Sequence, residues 1–382
     1  MKRAWYWCAS VAAATAGLSM VLVPAASADS QRGGHGPRFS VVADDLNNPR
    51  QLAVRGDAVF VAEAGTGGTN CVADQPCVGF TGSVTRVRDH RVQRVQSGLL
   101  SVASTENGST DVTGVDALAF RGDQLYGVAT GTCGPLPPLP EPLASQIAAQ
   151  LGKVLRLNGG SSVTPVGDPG NFECNNVPDP DGAGRDTDPY GLAIRGDSFF
   201  VADAAGNDVV KVHNGQTSLV KVIPSADGNP INEFNQPVPT SLAWGPDGAL
   251  YVGTLSFATL FAPGGGAGGA KVYRIDPSTN AISVYASGLT AITGIAFDDH
   301  GRLYVSEWTT GVDANGPLPN GDVVVIPRGG GSNGRKVIGD QVLHFPGGVA
   351  IADDGVYVSN WSIMAGSGPG PHGQLVRFSS DN

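Results

Sequence analysis

One phrase recurs along the chain: a short apolar strand, a tight turn, and a second strand opening on apolar and aromatic residues. The copies run from Gln51-Leu52-Ala53-Val54 to Val59-Phe60-Val61, from Ala117-Leu118-Ala119-Phe120 to Leu125-Tyr126-Gly127, and from Gly191-Leu192-Ala193-Ile194 to Phe199-Phe200-Val201. They continue from Ser241-Leu242-Ala243-Trp244 to Leu250-Tyr251-Val252, from Gly294-Ile295-Ala296-Phe297 to Leu303-Tyr304-Val305, and from Gly348-Val349-Ala350-Ile351 to Val356-Tyr357-Val358. A loop and a third strand follow each copy, as in Val209-Val210-Lys211-Val212, and most have a fourth, as in Ile282-Ser283-Val284-Tyr285. Four antiparallel strands repeated in this way make one propeller blade, so the chain is expected to be all-β, a six-bladed β-propeller.

The ends of the chain test this count. The sixth copy stops after its third strand, Leu375-Val376-Arg377-Phe378, while Phe39-Ser40-Val41-Val42 precedes the first copy with no partner of its own. An N-terminal strand that completes the last blade closes the ring and removes two exposed sheet edges.

Ahead of that strand, Lys2 and Arg3 precede an apolar run from Trp5 to Val23 and the small triplet Ala26-Ser27-Ala28, the layout of a secretory signal peptide cleaved before Asp29. The expected organisation is a signal peptide at 1–28, a flexible segment at 29–38 and one propeller domain at 39–382, secreted and monomeric. The full chain carries a net charge of -10, and loss of Lys2 and Arg3 makes it more negative. Such a surface repels nucleic acid and anionic lipid, so neither nucleic acid nor, after cleavage, membrane is an expected partner. Once Cys8 has left with the signal, Cys71, Cys77, Cys133 and Cys174 allow three pairings. The short loop favours Cys71 with Cys77, leaving Cys133 with Cys174.

The turns inside the repeated phrase are short and lie on one face, the bottom. Three of them read Arg-Gly-Asp, at 55–57, 121–123 and 195–197. All occupy one repeat position where Gly and Asp are the residues a tight turn demands, which accounts for them without a role in adhesion. The long insertions belong to the opposite, top face, and binding is normally placed on loops of that kind.

Two rows of residues define candidates at the top of the channel. The second strands end on Glu63, Ala129, Asp203, Thr254, Glu307 and Asn360, and Glu63, Asp203, Glu307 and Asn360 are candidate ligands for calcium or magnesium. The starts of the first strands contribute Arg50, Asp116, Tyr190, Thr240 and Thr293 as candidate ligand-binding residues, with His344 placed beside them. Glu307 and His344 are the candidate catalytic bases.

The stretch from Phe200-Val201-Ala202-Asp203 to Asn207-Asp208-Val209-Val210 resembles an NHL-type repeat. Leu46-Asn47-Asn48-Pro49-Arg50, Leu143-Ala144-Ser145 to Gly152-Lys153-Val154, Asp188-Pro189-Tyr190-Gly191 and Phe345-Pro346-Gly347-Gly348 together resemble the ScyD/ScyE family of secreted six-bladed, TolB-like propellers. That resemblance covers nearly all of the expected mature chain and implies a fold and export, with no established reaction. A broader similarity is to the gluconolactonase and senescence-marker propellers, which hydrolyse lactones with a central divalent metal. Their Asn before Gly-Leu in the third blade is Tyr190 here, and the Asp at the next equivalent position is Thr240. Propellers of the virginiamycin-lyase type carry a His at a first-strand start, for which His344 is the nearest residue. The expected function is a binding or interaction module for a small molecule or protein at the top of the channel. The alternative is a lactonase-like hydrolase or lyase using a divalent metal as Lewis acid at the channel mouth.

Overall fold

The structure, a computed structural model, describes residues 39–379 apart from 72–75, 107–108, 135–138, 177–179, 181, 183, 263, 314–317 and 363–371. The signal peptide and the segment 29–38 fall outside the described residues. Six antiparallel sheets form the six blades, five with four strands and one with five. Helices are few, and none described is long and apolar enough to cross a membrane.

Blade one contains Pro49–Arg55, Ala58–Glu63, Cys77–Arg88 and Arg91–Glu106, with a fifth strand, Ser109–Thr113, that the repeat did not foretell. Blade two contains Val115–Arg121, Gln124–Ala129, Val154–Leu157 and Val163–Gly167, and blade three Pro189–Arg195, Ser198–Asp203, Asp208–His213 and Gln216–Val222. Blade four follows with Pro239–Trp244, Leu250–Thr254, Ala270–Ile275 and Ile282–Leu289, and blade five with Ile292–Phe297, Leu303–Glu307, Gly321–Ile326 and Lys336–Leu343. Blade six takes Val349–Ala352, Gly355–Asn360 and Gly373–Phe378 from the C-terminal end and Phe39–Leu46 from the other. The closing strand pairs from Phe39 opposite Phe378 to Leu46 opposite Gly373, as the missing fourth strand required.

The core lies between the blades. Each second strand carries a ring at one position (Phe60, Tyr126, Phe200, Tyr251, Tyr304, Tyr357), and three of these meet a ring on the innermost strand of the next blade. Phe60 meets Phe120 at 4.9 Å, Phe200 meets Trp244 at 5.1 Å, and Tyr251 meets Phe297 at 4.7 Å between ring centroids. These tilted and edge-on contacts carry the quadrupole preference of aromatic pairs on top of their burial.

The bottom turns show why Arg-Gly-Asp recurs. Arg55 pairs opposite Ala58, Arg121 opposite Gln124 and Arg195 opposite Ser198, so each loop has two residues, with Gly56, Gly122 and Gly196 at φ of 57°, 56° and 55°. Glycine adopts that conformation without a Cβ penalty. Each arginine then reaches the next blade: Arg55 bonds Asp123, Arg121 lies 3.6 Å from Asp197, and Arg195 donates to the Gly248 carbonyl at 2.6 Å. The motifs form a relay from blade to blade. Blades four to six use another device, in which Asp247, Asp298 and Asp354 each hold an arginine and a tyrosine.

Both expected disulfides are present, with Cα–Cα distances of 4.2 Å for Cys71–Cys77 and 5.3 Å for Cys133–Cys174. The second ties the loop after blade two's second strand to a helix, Pro169–Asn176, that leads out of that blade.

Candidate functional site

The first row of candidates sits at one repeat position, and all five members are buried: Arg50, Asp116, Tyr190, Thr240 and Thr293. Its sixth member is Gly347, not His344. The repeat aligns Pro49, Pro189, Pro239, Ile292 and Pro346, so His344 falls two residues before the aligned position, level with Asn47 and Thr290. There its imidazole stacks on Trp361 at 4.4 Å and 14°, and burial lowers its pKa.

The row stitches neighbouring blades together. Thr240 donates to the Ile292 carbonyl at 2.7 Å, Thr293 to the Pro346 carbonyl at 2.8 Å, and Ser359 to the Arg50 carbonyl at 2.8 Å. Arg50 reaches furthest, with Nε 3.3 Å from Asp116 and Nη1 and Nη2 donating to the carbonyls of Ser362 and Val112. Its guanidinium therefore joins blades one, two and six. For Asp116, burial outweighs the attraction of Arg50 and pushes the pKa well up, and Oδ2 is buried without a hydrogen-bond partner.

One residue further on, the row reads Gln51, Ala117, Gly191, Ser241, Gly294 and Gly348. Small residues there let the innermost strands converge until a Cβ on Gly348 would lie 2.6 Å from the Gln51 Cα. Gln51 is the single long side chain of this row. Its amide donates to the Thr293 carbonyl and lies 3.5 Å from the Thr240 carbonyl, on blades across the ring from its own. Gln51 thus reaches across the channel, while Arg50 ties blade one to the blades on either side of it. Sequence reasoning missed Gln51, although a long polar residue among Ala, Gly and Ser was the available signal.

The second row serves the backbone of its own blades. Glu63 accepts Asn47 N–H at 2.8 Å, Asp203 accepts Asp188 N–H at 2.7 Å, Glu307 accepts Thr290 N–H at 2.6 Å, and Asn360 accepts His344 N–H at 2.6 Å. In each case the side chain fixes the segment leading into the first strand, satisfying a donor that burial would otherwise orphan. Glu63 also accepts Ser83, Thr85 and Arg94, and Asp203 also accepts Thr187 and Gly206. A central divalent metal, which the lactonase resemblance implies, does not fit this donor set. The four side chains are committed one blade at a time, and among the described residues no three His, Cys, Asp or Glu groups gather that would hold a metal ion.

Two of these acids face a second acid across the sheet, Asp203 opposite Asp208 and Glu307 opposite Asp322. Burial, reinforced by the Asp322 charge, pushes Glu307 up to about 8, and burial raises Asp322 to about 6. The pair therefore holds a proton at neutral pH. Blade six contains the neutral version of the same contact, where Asn360 bonds His344 N–H with its oxygen and Gln374 with its amide at 3.4 Å.

A pH dependence follows. The folded carboxyls bind protons more tightly than the unfolded ones, whose reference values are 4.5 for Glu307 and 3.8 for Asp322. Stability from this pair is thus greatest in acid and falls as pH rises through about 4 to 8. Glu307→Gln copies the protonated form, keeps the acceptor for Thr290 and gives Asp322 a donor. Melting curves between pH 5 and 9, a span set by these values, are expected to show the decline in the parent and a flatter profile in the variant. Parallel profiles would disprove the shared proton.

No protein-family model matches the chain, and no curated protein matches it. Among solved structures, a gluconolactonase from Xanthomonas campestris is similar at a TM-score of 0.49 and 12% identity, over 89% of each chain. A virginiamycin B lyase from Staphylococcus aureus gives 0.43 and 13%, over 90% of this chain and 99% of that one. A chain of a nidogen/laminin complex gives 0.41 and 14%, over 80% and 99%. At these identities the likeness concerns the fold alone, and the six sheets described above establish that fold independently: a β-propeller of six blades.

Proposed function

We propose that this chain is an exported binding module of the ScyD/ScyE type, whose ligand, a small molecule or a protein, engages the top face, and that its channel mouth is a structural lock. The carrying observation is the set of hydrogen bonds at the channel mouth, where Arg50 joins blades one, two and six and Gln51 reaches carbonyls of blades four and five. With the second-row acids committed to their own blades, the top insertions are left as the surface open to a ligand. Export is supported by the Lys2-Arg3 charge, the apolar run to Val23 and Ala26-Ser27-Ala28, and by two disulfides, which persist in oxidising compartments. The family assignment rests on the order of the motifs from Leu46-Asn47-Asn48-Pro49-Arg50 to Phe345-Pro346-Gly347-Gly348.

The test is a panel of lactones and esters offered to the purified chain with calcium, magnesium or zinc present. No turnover above the uncatalysed rate is expected, in the parent or in Glu307→Gln. Turnover that requires a divalent ion and disappears in Glu307→Gln would establish the hydrolase instead.

A further inference from the structure

The hairpin between third and fourth strands closes at the bottom face in each blade, and in blade five it is out of pattern. Blades one and three turn on two residues, Asp89-His90 and Asn214-Gly215. Blade five inserts nine, Pro327-Arg328-Gly329-Gly330-Gly331-Ser332-Asn333-Gly334-Arg335, between Gly321–Ile326 and Lys336–Leu343. The base of this loop is fixed. Gly329 N–H donates to the Tyr285 hydroxyl at 3.2 Å and Gly330 N–H to the Pro327 carbonyl at 3.1 Å. A Cβ on Gly330 would lie 2.4 Å from the Tyr285 carbonyl oxygen, so the anchor requires glycine. The tip is open: the N–H groups of Gly331, Ser332, Asn333 and Gly334 make no hydrogen bond within the described residues, and all four residues are exposed. The sign of φ reverses between Gly331, at 87°, and Ser332, and again between Asn333 and Gly334, at 73°. Such changes of hand are how backbone N–H groups are gathered into anion-binding concavities.

Charge is the second observation. The segment 327–336 carries Arg328, Arg335 and Lys336 and no acid, on a chain whose net charge is -10. Arg335 folds back over the loop, its Nε donating to the Gly331 carbonyl at 2.7 Å, and the stem of Arg328 lies against the neighbouring turn, where a Cβ on Gly301 would be 3.2 Å from its Cδ. The acid of that turn, Asp298, is held by Arg302 at 2.5 Å, and none of the three cations forms an ion pair among the described residues. The other arginine-rich segment, the blade-one hairpin 86–94, differs: Arg88 holds Asp57 at 2.9 Å, Arg94 holds Glu63 at 3.1 Å, and the turn itself supplies Asp89. Arg156 and Lys211 also lack an ion pair, but each is a single residue within a strand.

Free backbone donors and unpaired cations thus coincide in one anchored loop. We propose that loop 327–336 binds a tetrahedral oxyanion, the phosphate or sulfate group of an ester. Arg328, Arg335 and Lys336 supply the charge, and the N–H groups of Gly331 to Gly334 supply donors that an anion with oxygens on every side can use together with them. The site is on the bottom rim, and it does not depend on the reading of the top face.

Inorganic phosphate and sulfate, both chiefly dianions at about pH 8, are the probes, and malonate is the planar dicarboxylate of equal charge. Each is titrated against the purified chain at low salt and followed by amide chemical shifts. Saturable shifts confined to Gly329–Lys336 are expected, with a dissociation constant of roughly millimolar order that rises as sodium chloride is added. The triple variant Arg328→Gln/Arg335→Gln/Lys336→Gln should weaken binding by about tenfold or more, and Arg156→Gln should leave it unchanged. Gly331→Ala keeps every charge, and its Cβ meets nothing within 4 Å, so it acts only by disfavouring the positive φ. It should weaken binding about threefold. Malonate should bind more weakly than either tetrahedral ion, and the tighter of phosphate and sulfate identifies the ester. Absence of saturation up to tens of millimolar, equal binding by the triple variant, or equal binding of malonate would overturn the proposal. So would undiminished affinity in Gly331→Ala, which would leave a cluster of charge with no backbone cradle.

Discussion

Replacing Arg50 with methionine is expected to lower the free energy of unfolding by about 3–5 kcal/mol, or roughly 5–15 °C in melting temperature. The methionine keeps much of the side-chain volume, so the loss is electrostatic. Without the guanidinium, the carbonyls of Val112 and Ser362 lose their donor and Asp116 is left fully buried with no cation beside it. Breaking one half of a buried pair costs more than removing both, because an uncompensated polar group remains. The double variant Arg50→Met/Asp116→Leu is therefore expected to recover a substantial part of the loss. Thermal melts of the two variants decide it: a double variant no more stable than Arg50→Met would mean that the ion pair is not what holds blades one and two together.

Deleting residues 39–46 is expected to have an effect of similar size through a different mechanism. The strand buries Leu46 and Ala43 in the layer between blades six and one and supplies the outer ladder of blade six. Burial of a leucine contributes about 1.5–3 kcal/mol and each ladder hydrogen bond about 1 kcal/mol, so the loss comes to roughly 5 kcal/mol. Removal also bares the edge Gly373–Phe378, a template for pairing with another chain. The truncated protein should melt lower and elute in larger species, and a peptide of residues 36–48 added in trans should reverse both effects. Unchanged melting after truncation would show that the ring does not depend on this closure.

Features set by local chemistry were legible in the sequence. Two-fold alternation and Gly-containing turns gave the blades, and the stop at Phe378 without a fourth strand located the closure at Phe39–Val42, within the strand Phe39–Leu46. The site was legible only in part. Arg50 and Thr240 were found at their repeat position, but their partners (Ser362, Val112, Ile292) come from other blades, and no local pattern marks a carbonyl as an acceptor. His344 was misplaced because blade six begins Phe345-Pro346-Gly347-Gly348, where no side chain competes for the row, and the nearest titratable residue was taken instead. The acids Glu63, Asp203 and Glu307 were aligned correctly. Their direction was not legible, since a row of carboxylates reads the same whether it faces a pore or the backbone leading into each blade. Asn360 held the clue, because an amide in the same row serves a backbone N–H and a neighbouring amide equally well.

On the proposed function, the channel mouth is a lock of buried polar contacts in which Glu63, Asp203, Glu307 and Asn360 hold backbone N–H groups. The direct test is the melting temperature of the chain in excess calcium, in excess magnesium and in EDTA, compared between the parent and Glu307→Gln. Any shift caused by a divalent ion is expected to be the same in both proteins. A saturable stabilisation by calcium or magnesium that is present in the parent and lost in Glu307→Gln would contradict it.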